Sequence, residues 1–128
     1  MKTTEGQFNV KIKSGSRLTN PLNKQLPANS LLKVILNNNQ LHETEVIYNE
    51  EYPDFNFDFC ADLSPSDRLK IECYHLEQSV ECYMGTATIQ LKGIHDERLV
   101  SHVYLEDEKN YGIRVNGAIK VSVTTSKH

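Results

Sequence analysis

No stretch of the sequence is apolar over the roughly 18–20 residues a helix needs to cross a bilayer. Met1 to Gln7 likewise lacks the apolar block of a signal peptide. Charge of one sign is missing too: 14 Lys and Arg stand against 17 Asp and Glu, a net −3. A chain built to grip nucleic acid is usually basic with a clear patch, so no nucleic-acid partner is expected. General attraction to acidic membranes is weak at this balance, although a local patch is compatible with it. Cysteine is scarce and odd in number, at Cys60, Cys73 and Cys82. With no secretion signal, that count points to free thiols in a reducing compartment. The expected location is the cytoplasm, with the cytoskeleton or a membrane as docking places. The phosphate-cradling patterns G-x-x-x-x-G-K-[ST] and G-x-G-x-x-G are absent, which removes sequence support for nucleotide binding. There is no internal repeat, low-complexity tract or linker, and 128 residues suit one domain with a real core.

What is present is alternation. Phe8, Val10 and Ile12 alternate with polar residues, as do Leu32, Val34 and Leu36 with Lys33 and Ile35. The same period of two runs through Phe55, Phe57 and Phe59, through Leu69, Ile71 and Cys73, through Ala87, Ile89 and Leu91, and through Ile119, Val121 and Val123. Weaker segments are Glu43 to Tyr48 and Leu99 to Leu105. A period of two means strands with one buried and one wet face, the mark of antiparallel sheets. Eight such strands predict an all-β, eight-stranded antiparallel β-sandwich. The Phe55–Phe57–Phe59 series is read as core rather than as a base-stacking ladder.

Turn chemistry separates the strands. Asn37-Asn38-Asn39 predicts a tight connection because Asn tolerates the left-handed conformation. Ser64-Pro65-Ser66-Asp67 and Val115-Asn116-Gly117 predict two more turns, and Ile94 to Glu97 a single helical turn. Ser14 to Ser30 contains Pro21 and Pro27 without a period and is expected to be an ordered loop. The domain is expected over residues 6–124, with flexible termini at 1–5 and 125–128.

In order along the chain, several of these pieces resemble the C2 domain family. Asn49-Glu50-Glu51-Tyr52-Pro53-Asp54-Phe55-Asn56-Phe57-Asp58-Phe59 is similar to the family's N-x-x-N-P-x-W-N-E-x-F-x-F segment. Phe55 stands where Trp is usual, and the final Phe pair sits one residue early. Leu69 to Tyr74 resembles L-x-I-x-V-x-D, and Tyr83 to Leu91 resembles F-I-G-x-x-x-I-x-L. Gly117 to Val121 is similar to the closing G-x-I-x-V strand. The resemblance implies a C2-type sandwich that works by binding rather than catalysis.

Calcium-binding members of that family gather Asp carboxylates on loops at one end. Their positions fall near Asn23 and at Asn29 in the first loop, and at His75, Glu77 and Cys82 before Gly85. Calcium takes six to eight oxygen ligands, largely anionic. Only Glu77 supplies a carboxylate, and Ser14 to Ser30 holds no Asp or Glu, so no calcium and no other cofactor is expected. Cys73, His75 and Cys82 are soft ligands within ten residues, yet the phase of Cys73 points inward and a fourth ligand is not evident. Cys82 and His75 could approach across one loop as nucleophile and base, without a recognisable oxyanion hole or orienting acid. The chain is therefore read as not an enzyme.

The irregular first loop carries the remaining signal. Leu18, Leu22 and Leu26 recur every four residues beside Arg17 and Lys24. Two readings stay open: these leucines fold back to cap the sandwich, or they form an apolar tip that meets a partner. The contact set expected on the second reading is Leu18, Leu22, Lys24 and Leu26. A protein partner in a cytoplasmic assembly is the leading expectation, and a phospholipid membrane is the alternative.

Overall fold

Residues 6–92 and 99–125 are described by the computed structural model, and all their regular structure is β-strand. The strands are β1 (Gly6–Ser16), β2 (Thr19–Asn20), β3 (Asn23–Pro27), β4 (Ser30–Leu36), β5 (Asn39–Glu43), β6 (Asp54–Leu63), β7 (Leu69–Glu77), β8 (Val80–Ile89), β9 (Leu99–Tyr104) and β10 (Ala118–Thr125). Eight of them form two four-stranded antiparallel sheets, ordered β6-β1-β10-β9 and β5-β4-β7-β8. The short β2 and β3 pair with each other as a separate ribbon.

The alternating residues meet between the sheets. Val10, Ile12, Val121 and Val123 from one sheet face Leu32, Val34, Leu69, Ile71 and Cys73 from the other, all essentially inaccessible. Full burial of one such side chain contributes about 1.5–3 kcal/mol, so this layer is the main source of stability. Phe59 is buried, while Phe55 and Phe57 pack against the core from the edge strand β6.

Three expectations need correction. The second hairpin strand is Asn39–Glu43, not Glu43 to Tyr48. Asn37 and Asn38 both have positive φ, which closes a two-residue turn and starts pairing at Asn39. Beyond Glu43, Thr44 folds onto β4: its N–H donates to Leu32 O, and its hydroxyl accepts the Leu32 N–H. Ile47 then bridges to Ser30. The Ser14 to Ser30 segment is not a loop but the end of β1 plus the β2–β3 ribbon. Thr125 is not a frayed end, because it pairs with Phe8. The helical turn expected at 94–97 and the ends at 1–5 and 126–128 lie outside the described residues.

The strand registers bring four connections to one end: the ribbon at 17–29, the β5–β6 connection at 44–53, the β7–β8 turn at 78–79 and the β9–β10 connection at 105–117. Backbone hydrogen bonds tie them across the two sheets. Gly15 N–H donates to Pro53 O at 2.9 Å, Leu18 N–H to Glu51 O at 2.9 Å and Glu50 N–H to Ala28 O at 3.2 Å.

Candidate functional site

Leu18 is the plug of that end. It is fully buried, and its methyl groups press on Gly15 and Gly117. A Cβ at Gly117, whose φ is +100°, would lie 2.8 Å from Leu18 Cδ2 and 2.9 Å from Ser16 O. Only glycine meets both conditions at that position. Leu18, placed in the expected contact set by the sequence, has its side chain in the core. Leu22 and Leu26, carried on the ribbon, are 69% and 49% exposed. The ribbon turn is shaped by Asn20, whose Oδ1 accepts the Leu22 N–H at 2.8 Å. Lys24 reaches across to the β9–β10 connection, where its Nζ donates to Arg114 O at 2.9 Å.

The positions aligned with calcium ligands are occupied by a hydrogen-bonded latch. Asn29 N–H donates to His75 Nδ1 at 2.9 Å, and Asn29 Nδ2 donates to Leu76 O at 3.0 Å. Asn29 Oδ1 in turn accepts the Asn49 N–H at 2.8 Å. His75 is 1% exposed and its Nε2 lies 2.8 Å from Glu77 Oε1. Since Nδ1 accepts, the ring proton sits on Nε2 and faces that carboxylate. The ligand loop expected before Gly85 is itself reduced to the two-residue turn Gln78–Ser79, both with positive φ. Asn23 lies away on the ribbon, accepting the Gln25 N–H. One carboxylate, one amide already spent on the backbone and one imidazole do not fit a calcium ion. No group of three or more His, Cys, Asp or Glu able to hold a metal occurs among the described residues.

The latch also bears on the Cys–His pair. His75 and Cys82 are register partners across β7 and β8. Both imidazole nitrogens already have partners, which leaves none to take a proton from the Cys82 thiol. Cys73 lies in the core, where burial pushes its thiol up to about 12. Lys33 lies 2.6 Å from Glu81 and over the Tyr74 ring at 4.7 Å.

One feature escaped the sequence reading. Eight large apolar side chains stand exposed among the described residues. Six of them sit on this end: Leu22, Leu26, Tyr48, Tyr52, Val80 and Tyr111. Their sequence neighbourhoods are unrelated, and only the strand order collects them. No helix among the described residues is long and apolar enough to cross a membrane.

Two four-stranded antiparallel sheets closed at one end by four connections define a β-sandwich. The sequence model of the C2 domain family matches residues 6–105, and the chain belongs to that family. Its members are typically modules for membrane or protein binding and are generally non-catalytic. The first of the C2 domains of plant Extended Synaptotagmin 1 superposes with a TM-score of 0.76 at 18% identity, covering 100% of both chains. Human GIVD cytosolic phospholipase A2 gives 0.74 at 11% identity, over 97% of this chain and 16% of that one. The calcium-bound tandem C2 domains of Extended-Synaptotagmin 2 give 0.69 at 13% identity, over 96% of this chain and 42% of that one. At these identities the likeness concerns the fold. No curated protein sequence gives a significant match.

Proposed function

We propose that the chain is a calcium-independent, non-catalytic interaction module that holds a protein partner at the end where its four connections meet. The carrying observation is the concentration there of Leu22, Leu26, Tyr48, Tyr52, Val80 and Tyr111, all exposed. Exposed apolar and tyrosine side chains are residue types that protein interfaces draw on. Charge supports a protein over an acidic bilayer: Glu45, Glu50 and Glu51 stand on the β5–β6 connection of the same end, and the net charge is −3. Calcium independence is supported by the Asn29–His75–Glu77 latch. The three cysteines are free, which suits an assembly on the cytoplasmic side, at the cytoskeleton or against a membrane.

One observation favours the membrane as a second reading. Leu22, at the ribbon turn, is the most exposed aliphatic side chain described, and tyrosines suit the headgroup layer of a bilayer. The double variant Leu22→Asp/Leu26→Asp separates the outcomes. It places carboxylates where an apolar contact must form, which removes the hydrophobic gain and adds the cost of a desolvated charge. Loss of the captured partner at unchanged melting temperature supports the protein reading. Calcium-independent flotation with neutral vesicles that the variant abolishes, without any captured protein, supports the membrane instead. Full retention of both activities sends the contact to the sheet faces.

A further inference from the structure

A cleft of about 440 Å³ opens beside the ribbon, between β7, β8 and the β9–β10 connection. Its wall is a row of three tyrosines. Tyr74 and Tyr83 meet edge to face with centroids 5.7 Å apart, and Tyr83 meets Tyr111 the same way at 5.5 Å. Tyr83 is only 8% exposed, and its hydroxyl is held by Thr86 and by Glu106 O, so the ring is a fixed surface. The third side is equally pinned: Asp107 accepts the N–H groups of Tyr111, Gly112 and Ile113. The Lys24–Arg114 hydrogen bond closes the ribbon against the β9–β10 connection. The cleft is thus formed before anything binds, which spares a ligand the cost of ordering it.

Its charge differs from that of the whole chain. Lys24, Lys109 and Arg114 line it, against the single carboxylate of Glu81. Lys33 already neutralises Glu81 at 2.6 Å. Lys109 is shared between Glu72, at 3.3 Å, and the face of Tyr83, at 5.5 Å from the ring centroid. Lys24 and Arg114 have no carboxylate partner among the described residues. A net-negative chain thus carries a locally positive, aromatic-walled recess, and neither β4 nor β5 contributes to its lining.

We propose that this cleft receives an acidic segment of the protein partner. One acidic side chain sits between Lys24, Lys109 and Arg114, and a neighbouring apolar or aromatic side chain lies on Tyr83 and Tyr111 beneath Leu22. The cations supply charge-assisted hydrogen bonds, and the ring edges and faces supply apolar area at little conformational cost. The inference rests on the protein-binding reading above and names the chemistry of that partner. A peptide is the occupant rather than an anionic membrane for a geometric reason. A plane broad enough to cover this end also meets Glu45, Glu50 and Glu51, whereas a narrow segment entering the cleft does not.

The test uses the full chain and a fluorescein-labelled hexapeptide of alternating Glu and Tyr, read by anisotropy, beside the matching Lys–Tyr peptide. The Glu–Tyr peptide should bind at least about tenfold more tightly than its Lys–Tyr counterpart. The double variant Lys24→Glu/Arg114→Glu should weaken it by about tenfold or more at an unchanged melting temperature. Lys11→Glu/Lys13→Glu, the same charge change on β1 of the other sheet, should leave it unaltered. Backbone amide signals of Tyr83, Tyr111 and Arg114 should move on titration. No binding at millimolar peptide, equal weakening by the two double variants, or shifts confined to other strands would overturn the proposal. Binding of anionic vesicles through Lys24 and Arg114, with no peptide binding, would also overturn it and assign the cleft to a headgroup. A partner released by Leu22→Asp/Leu26→Asp but retained by Lys24→Glu/Arg114→Glu removes the cleft proposal and leaves the proposed function standing.

Discussion

The backbone N–H of Asn29 donates to Nδ1 of His75 at 2.9 Å, and this hydrogen bond ties the entry to β4 to the end of β7. The same imidazole meets Glu77 through its other nitrogen, Nε2 lying 2.8 Å from Glu77 Oε1. Replacing His75 by Ala should therefore cost about 1–3 kcal/mol for the orphaned Asn29 N–H, before any cost of the cavity. Glu77→Ala should cost well under half of that, because the Glu77 side chain is 44% exposed and exposed ion pairs contribute about 0–1 kcal/mol. Urea melts of the two variants provide the comparison, and equal losses would show that the latch is not held by the imidazole.

Calcium should leave the melting temperature where a chelator leaves it. An ion at 100 times its Kd stabilises the native state by about 2.7 kcal/mol, several degrees for a domain of this size. Such a rise in millimolar calcium would mean that ligands other than Asn29, His75 and Glu77 converge.

The three leucines of the first connection should separate cleanly by calorimetry. Leu18→Ala empties a fully buried site against Gly15 and Gly117 and should cost about 2–5 kcal/mol. Leu22→Ala alters a side chain that is 69% exposed and should stay within about 0.5 kcal/mol. Comparable losses would place Leu22 in the core and remove it from the contact surface.

Thiol chemistry should divide the cysteines. Burial holds the Cys73 thiol protonated up to about 12, while Cys60 is exposed and Cys82 half-buried. Mass spectrometry after alkylation at mildly alkaline pH should find label on Cys60 and Cys82 and none on Cys73 until the chain is unfolded. Early labelling of Cys73 would show that the β7 layer opens locally.

Acid should weaken the fold through two pinned aspartates. The Asn37 side-chain amide, and then the Ser64 N–H, hold the Asp67 carboxyl below the usual range. At Asp107 desolvation is the largest single influence and pushes upward, but the N–H groups of Tyr111, Gly112 and Ile113 together outweigh it, so its carboxyl also lies low. A carboxyl lowered in the folded state contributes stability above its unfolded value, about 3.9 for Asp. That contribution is lost as pH falls through the folded value. Melting temperatures should thus decline below about pH 4, with a shallower decline in Asp67→Asn/Asp107→Asn. An unchanged slope in the double variant would remove both residues from the acid response.

The alternation of Val10 with Ile12, of Leu69 with Ile71 and of Val121 with Val123 was enough to determine an antiparallel sandwich. Whether a strand buries one face is a local property, written in every second residue. The Asn37–Asn38 turn was legible for the same reason, since tolerance of positive φ belongs to the residue itself. The slip at Glu43 to Tyr48 marks the limit of that logic. Val46 and Tyr48 keep the right parity, but the turn had already fixed the start of pairing at Asn39, and Thr44 was claimed by Leu32.

What tertiary structure alone decided is how distant segments meet. Leu18, Leu22 and Leu26 share a residue type and a spacing, yet the first is core and the others are surface. The choice depends on the hydrogen bonds of Leu18 with Glu51 and Ala28, and on room left by two glycines, Gly15 close by in the chain and Gly117 far along it. The lack of Asp and Glu between Ser14 and Ser30 was visible in the sequence. The Asn29–His75 latch was not, because an Asn–His hydrogen bond across 46 residues has no periodic signature. The cleft is the extreme case: Lys24, Tyr74, Tyr83, Tyr111 and Arg114 come from three separate stretches of chain. Binary pattern records which residues avoid water, while the meeting of those stretches is fixed by sheet order and register, which bring the ends of non-adjacent strands together in space.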